Sequence, residues 1–134
     1  MPLTTELTED YMGIIHVGSG VVTSTELLDG CRSVTALVQN TENFHYKMVD
    51  FSAATELVCS EDNLREIIEQ DRLIANYRPH AAVVIVAPNE SIQALARHWE
   101  VLVEELGWST CIARTRDEAL QWLRDKSVTA QVAL

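Results

Sequence analysis

Seven consecutive apolar residues, Ala81-Ala82-Val83-Val84-Ile85-Val86-Ala87, limit the fold of this chain more than any other feature. A strand with one wet face alternates polar and apolar residues, whereas a strand without alternation must be covered on both faces. The run is also far short of the about 20 residues needed to cross a bilayer. It therefore predicts an internal strand of a sheet that carries helices on both sides. Its flanks agree. Ser60 caps a helix with Glu61 and Asp62 in the first turn, Leu64, Ile67, Ile68 and Ile74 on the buried face, and Arg78-Pro79 as its end. After the run, Pro88-Asn89 turns into a helix over 92–106. Ile92, Leu95, Ala96, Trp99, Leu102, Val103 and Leu106 share one face, and Gly107 supplies the stop.

The same signals continue in both directions. Residues 11–17 (YMGIIHV) read as a strand, Gly18-Ser19-Gly20 as a tight turn, and Val21-Val22 as a short return strand, which makes an antiparallel hairpin after a polar leader over 1–10. Thr23 and Glu26 have capping-box spacing and open a helix with Leu27, Leu28, Cys31, Val34 and Val38 on one face. Residues 45–51 (HYKMVDF) form another strand, and 109–114 a last one. Thr115 and Glu118 open a short final helix with Ala119, Leu120 and Leu123 inward. Strands that alternate with helices predict an α/β fold with a mixed, mostly parallel sheet, spanning 11–134 as one unit.

Charge and motifs then remove function classes. With 20 acidic against 10 basic residues, the net charge is −10, and no Lys/Arg cluster offsets it. Such a surface repels phosphate backbones, so nucleic acid is not an expected partner. The leader has neither the positive region nor the apolar core of a secretory signal, and a cytoplasmic protein is expected. Cys31, Cys59 and Cys111 form no CxxC, and His16, His45, His80 and His98 show no ligand spacing, so neither a disulfide framework nor a metal site is predicted. Gly18-Ser19-Gly20 lacks the dinucleotide spacing, and the chain has neither a phosphate-binding loop motif nor a nucleophile elbow. No cofactor and no catalytic residue is expected. Cys111 reads as a structural thiol of a strand, and His98 as a surface residue.

One segment stands out, from Asp50 to Ser60 (DFSAATELVCS). It reads as a strand end, a hydroxyl-rich loop and a helix cap, at the carboxyl end of the strands where open α/β sheets meet their ligands. A helix N-terminus stabilises added negative charge, and Cys59 beside it would feel the same dipole. Asp50, Ser52, Thr55, Cys59 and Ser60 are thus the candidate binding residues. The plainer alternative is that Ser60 only caps its helix.

Several patches resemble the SpoIIAA-like, or STAS, superfamily, and more narrowly its small stand-alone bacterial proteins of unknown function. They are Gly-Val-Val-Thr (20–23), Asp50-Phe51-Ser52, Ala-Ala-Val-Val-Ile-Val-Ala-Pro (81–88) and Arg-Asp-Glu-Ala-Leu-Gln-Trp-Leu (116–123), in matching element order over about residues 11–125. The resemblance implies a mixed sheet with helices, acting without catalysis as a protein-interaction or small-ligand module. Anti-sigma antagonists of that superfamily carry Asp-hydrophobic-Ser, then Asp-Ser-Ser-Gly at the next helix start. Asp50-Phe51-Ser52 matches the first part. Of Val58-Cys59-Ser60-Glu61 only Ser60 matches, at the serine that a partner kinase phosphorylates in those antagonists. Glu61 replaces the glycine and would repel a phosphate, so the phosphoswitch is not carried over.

The leading expectation is a regulatory module that binds another protein, with self-association as one form. Trp108 and Trp122 are candidates for an exposed interface. The alternative is a carrier of a small apolar, lipid-like ligand, since lipid-binding CRAL-TRIO domains share a related architecture and this chain is rich in aliphatics.

Overall fold

The computed structural model describes residues 3–8, 12–40 and 44–133, with side chains through Lys126. Its strands are β1 (Leu3–Leu7), β2 (Gly13–Thr23), β3 (Tyr46–Val58), β4 (Ala82–Val86) and β5 (Ser109–Ala113). Its helices are α1 (Ser24–Asn40), α2 (Glu61–Tyr77), α3 (Glu90–Leu102) and α4 (Arg116–Ala133), with a 3-10 turn over Glu104–Leu106. The strands lie side by side in chain order, β1 antiparallel to β2 and the rest parallel. The expected mixed, mostly parallel α/β sheet is what the chain forms.

The apolar run explains the layers. β4 lies between β3 and β5 and is buried at every position. Its alternate residues point to opposite faces, as the two-residue period requires. Val83 and Ile85 join Val49 and Phe51 beneath α1, α2 and α3, where Val34, Ile68 and Trp99 close the larger core. Ala82, Val84 and Val86 join Met48 beneath α4, with Ala119 and Leu123. The helix ends follow the expected chemistry. The Ser60 hydroxyl accepts from Asn63 N, and the Asn63 side chain accepts from Ser60 N in return. Thr23 and Glu26 exchange bonds in the same way, and Thr115 Oγ1 accepts from Glu118 N. The helix expected over 92–106 instead ends at Leu102, and Gly107, at φ 82°, ends the separate 3-10 turn that follows it.

The N-terminal hairpin exists, but other residues build it. Leu3–Leu7, inside the expected polar leader, is the edge strand β1, and it pairs with β2 from Gly18 back to Ile14. An edge strand needs no apolar face, and β1 keeps only Leu3 half-buried, so hydrophobic patterning could not reveal it. Residue 11, the expected start of the first strand, lies outside the described residues. Gly18-Ser19-Gly20 does not turn the chain. It runs on within β2, where the register with β3 shifts between Val17 and Ser19 and again between Gly20 and Val21. A Cβ on Gly18 would meet Phe51 Cδ1 at 2.9 Å, and Gly20 sits at φ +62°. Both glycines therefore serve a bulged, closely packed ladder rather than a hairpin turn.

Two smaller expectations also change. The final helix is long, reaching Ala133. Trp108 is buried, and its indole N–H donates to the Arg78 carbonyl at 2.9 Å, so it offers no interface. Trp122 is half-buried with Lys126 over its ring.

Candidate functional site

The segment from Asp50 to Ser60 is not a loop. β3 continues through it to Val58, paired with the outer half of β2 as a parallel ribbon past the end of β4. Its hydroxyl residues mark bulges. Asp50 Oδ1 accepts from Ser52 N at 2.9 Å and from Ser52 Oγ at 2.6 Å, which draws the Ser52 amide toward a side chain at the first register shift. This local competition is what made the segment read as a loop. The five candidate residues do not converge. Buried Asp50 faces α4, where Arg116 Nε lies 3.8 Å from its Oδ2. Ser52, Thr55 and Ser60 are exposed, and Ser60 performs its capping role. Cys59 alone reaches a cavity. Burial raises its thiol above the usual cysteine range, the opposite of activation by the helix end.

That cavity lies between the sheet and α1, α2 and α3, with a volume of about 80 Å³. Half-buried Leu27, Leu57, Cys59 and Leu95 line its outer part, near the carboxyl ends of the strands. Leu64, Ile67, Val83 and Ile85 add apolar wall. Four further lining residues are polar or weakly so and fully enclosed: His16, Cys31, Lys47 and Asp71.

Each of the four has a defined state. Asp71 Oδ2 accepts from the Trp99 indole N–H at 2.8 Å, and Oδ1 from the Cys31 thiol at 3.9 Å. Burial raises the Asp71 carboxyl above the usual range, while the Lys47 charge and these two bonds hold it down. Burial works against the Lys47 ammonium, but neighbouring Cys31 and Asp71 outweigh it and hold it above the usual lysine range. Burial pushes the Cys31 thiol up to about 12, so it is neutral at pH 7. His16 is lowered to about 3, by burial first and the Lys47 charge second, and is neutral. Its Nδ1 lies 2.8 Å from Thr5 Oγ1 on the edge strand, while its buried Nε2 has no hydrogen-bond partner among the described residues. Gly30 of α1 lets this contact form, since a Cβ there would meet Leu3 Cδ2 at 3.2 Å and His16 Cε1 at 3.4 Å.

No protein-family model matches the chain, and no curated protein matches it significantly. Solved structures do. The anti-sigma factor antagonist SpoIIAA in its unphosphorylated form aligns at TM-score 0.62 and 7% identity, over 91% of this chain and 97% of its own. The Bacillus cell fate determinant SpoIIAA in its phosphorylated form aligns at 0.59 and 7%, over 90% and 98%. An uncharacterized protein of the DUF3478 family with a SpoIIAA-like fold, from Shewanella loihica PV-4, aligns at 0.59 and 14%, over 90% and 91%. This chain has the SpoIIAA-like (STAS) fold.

The polar floor of the cavity went unread in the sequence, although signals for it exist. Asp71 occupies the buried stripe of α2 between Ile67, Ile68 and Ile74, a position where helical periodicity calls for an apolar residue. Lys47 shares strand parity with Val49 and Phe51 on a strand that has neighbours on both sides. A polar residue out of pattern was the available signal in both cases. Among the described residues no cluster of metal-binding side chains occurs. No helix among the described residues is long and apolar enough to cross a membrane.

Proposed function

We propose that this SpoIIAA-like protein is a regulatory module that acts by binding another protein, without catalysis, through the outer face of the β2–β3 ribbon and the start of α2. The observation that carries this reading is the exposure of Val21 (47%) and Val58 (49%) on that ribbon. Val22 and Leu57, the intervening positions, pack inward, so the two valines share the outward face. Ser52, Thr55 and Ser60 are exposed along the same segment and supply polar contacts. The partner is a protein, in its simplest form a second copy of the chain. Photo-crosslinking in the native cells tests this. A crosslinker at Val58 is expected to capture a discrete species, and one at Val101, the most exposed large apolar residue at 66%, is not. Equal yields at the two positions would overturn the surface.

The cavity favours a second reading, uptake of a small and mostly apolar ligand, compatible with the first. A volume of about 80 Å³ is below the roughly 150 Å³ that accommodates benzene in an engineered protein cavity, so a whole lipid does not fit. Native mass spectrometry of freshly purified protein is expected to show a small bound molecule. A spectrum of the bare chain alone, under conditions that preserve weak complexes, would count against it.

A further inference from the structure

We infer that the chain pairs with a second copy of itself along the outer edge of β5, antiparallel and centred on Cys111, so that two sheets join into one. This edge lies at the far side of the sheet from β1 and β2, and the contact is independent of the ribbon proposed above. Three observations converge.

The first is an open ladder. Ser109 N donates to the Ala81 carbonyl, and the Ala113 carbonyl accepts from Ala87 N. In a parallel ladder this parity turns Ser109, Cys111 and Ala113 toward β4, so Thr110 and Ile112 direct their N–H and C=O groups outward. Among the described residues no backbone group meets them. The second is the lack of any guard. Edge strands commonly carry a charge, a proline or a bulge that discourages pairing, and β1 has Glu6. β5 reads Ser-Thr-Cys-Ile-Ala and follows β4 without a register shift.

The third is self-complementarity. With Cys111 opposite Cys111 of the second copy, Thr110 and Ile112 face each other on both sides of the centre. They exchange N–H and C=O bonds in both directions, which satisfies every outward group of the two strands. The charges agree. Glu100 Oε2 accepts from Thr110 Oγ1 at 2.9 Å, and Arg114, just past β5, is exposed with no ion pair among the described residues. Thr110 meets Ile112 of the second copy, and Arg114 follows two residues later on the same face, next to Glu100. A chain of net charge −10 thus meets its own copy here through opposite charges. On the other face, half-buried Cys111 and Trp122 would be covered as well. Val101 points away from the sheet, opposite Ile92, Ala96 and Trp99, and stays outside the contact.

The test is light scattering of the unaltered protein, then oxidation with diamide at alkaline pH, since burial raises the Cys111 thiol. A dimer at micromolar concentration is expected. The register sets the two Cys111 Cα atoms about 4.5 Å apart, within the reach of a disulfide. Diamide should therefore lock the dimer covalently in the unaltered protein and in Cys59→Ser, but not in Cys111→Ser. Thr110→Pro removes an outward N–H and leaves the β4 ladder whole, and Arg114→Glu sets two acids side by side. Each is expected to weaken the dimer about tenfold or more, and Glu100→Lys added to Arg114→Glu to restore it. A monomer up to millimolar concentration would overturn the inference, as would a dimer that forms no Cys111 bridge. A dimer lost in Val58→Glu but kept in Arg114→Glu would overturn it too, and would move self-association to the ribbon. If Thr110→Pro does not fold, the bridge and the charge swap decide.

Discussion

The two faces of the sheet are made by the same strands and packed on opposite principles. Beneath α4, Met48, Val84, Val86, Ala119 and Leu123 form a dry cluster, and the acid of that face, Asp50, sits at its edge with Ser52 and Arg116. Beneath α1–α3, the larger core encloses Lys47, Asp71 and His16 and keeps a cavity beside them. Stability alone explains the first face but not the second. Buried ionisable groups are often replaceable by apolar residues at no loss, and a cavity forgoes contacts that a larger side chain would make. The α4 face thus behaves as a foundation, and the other is the face that keeps a cavity.

The largest effect is expected on the dry face. Val84 is 0% exposed, and Val84→Asp would bury a carboxylate with no cation near it in that cluster. The cost is several kcal/mol against a total of roughly 5–15, so the cooperative melt should disappear. A Val84→Asp protein with a sharp thermal transition at neutral pH would erase the contrast between the faces.

The polar face should respond differently to single and paired changes. Asp71→Ala strands Lys47 and the Trp99 indole, and is expected to cost about 3–5 kcal/mol in urea unfolding. Replacing both charges, as Lys47→Met with Asp71→Leu, is expected to return stability to within about 2 kcal/mol of the starting protein. A pair no better than the single change would show that the charges support the fold itself.

A pH comparison sharpens the same point. The His16 ring falls from an ordinary 6.5 to about 3 through burial and the Lys47 charge. Between these values the unfolded chain holds a proton on the ring that the folded chain lacks. Stability therefore rises with pH across this window and is lost as pH falls, by about 1.4 kcal/mol per unit. Asp71, raised by burial, works in the opposite direction, but it does so equally in a His16→Leu variant. From pH 7 to pH 5 the natural protein should lose about 2 kcal/mol more stability than that variant. Equal losses would mean that the ring is not held neutral.

The smallest effect belongs to the ribbon edge. Asp caps a helix about as well as Ser, so Ser60→Asp should shift stability by less than about 0.5 kcal/mol. The added charge beside Glu61 and Asp62 should nonetheless weaken the protein contact proposed for this surface. A partner captured at Val58 that binds Ser60→Asp unchanged would reduce Ser60 to a cap.

Residues 81–87, the caps at Thr23, Ser60 and Thr115, and the stop at Gly107 were determined by sequence alone, because each rests on periodicity or on bonds to neighbours within a few positions. Such local chemistry was enough for the mixed, mostly parallel sheet. It misled where one local pattern has two uses: Gly18-Ser19-Gly20 and Asp50-Phe51-Ser52 carry the chemistry of turns, and they became bulges because each strand found the other alongside. The edge strand β1 carries almost no pattern of its own and exists because β2 offers it a ladder. The cavity lay furthest from view. His16, Cys31, Lys47, Asp71 and Trp99 come from five different elements, and only the packing of three helices onto the sheet brings them together. A buried charge is tolerated by virtue of its partner, and which residue becomes that partner is decided in the tertiary structure.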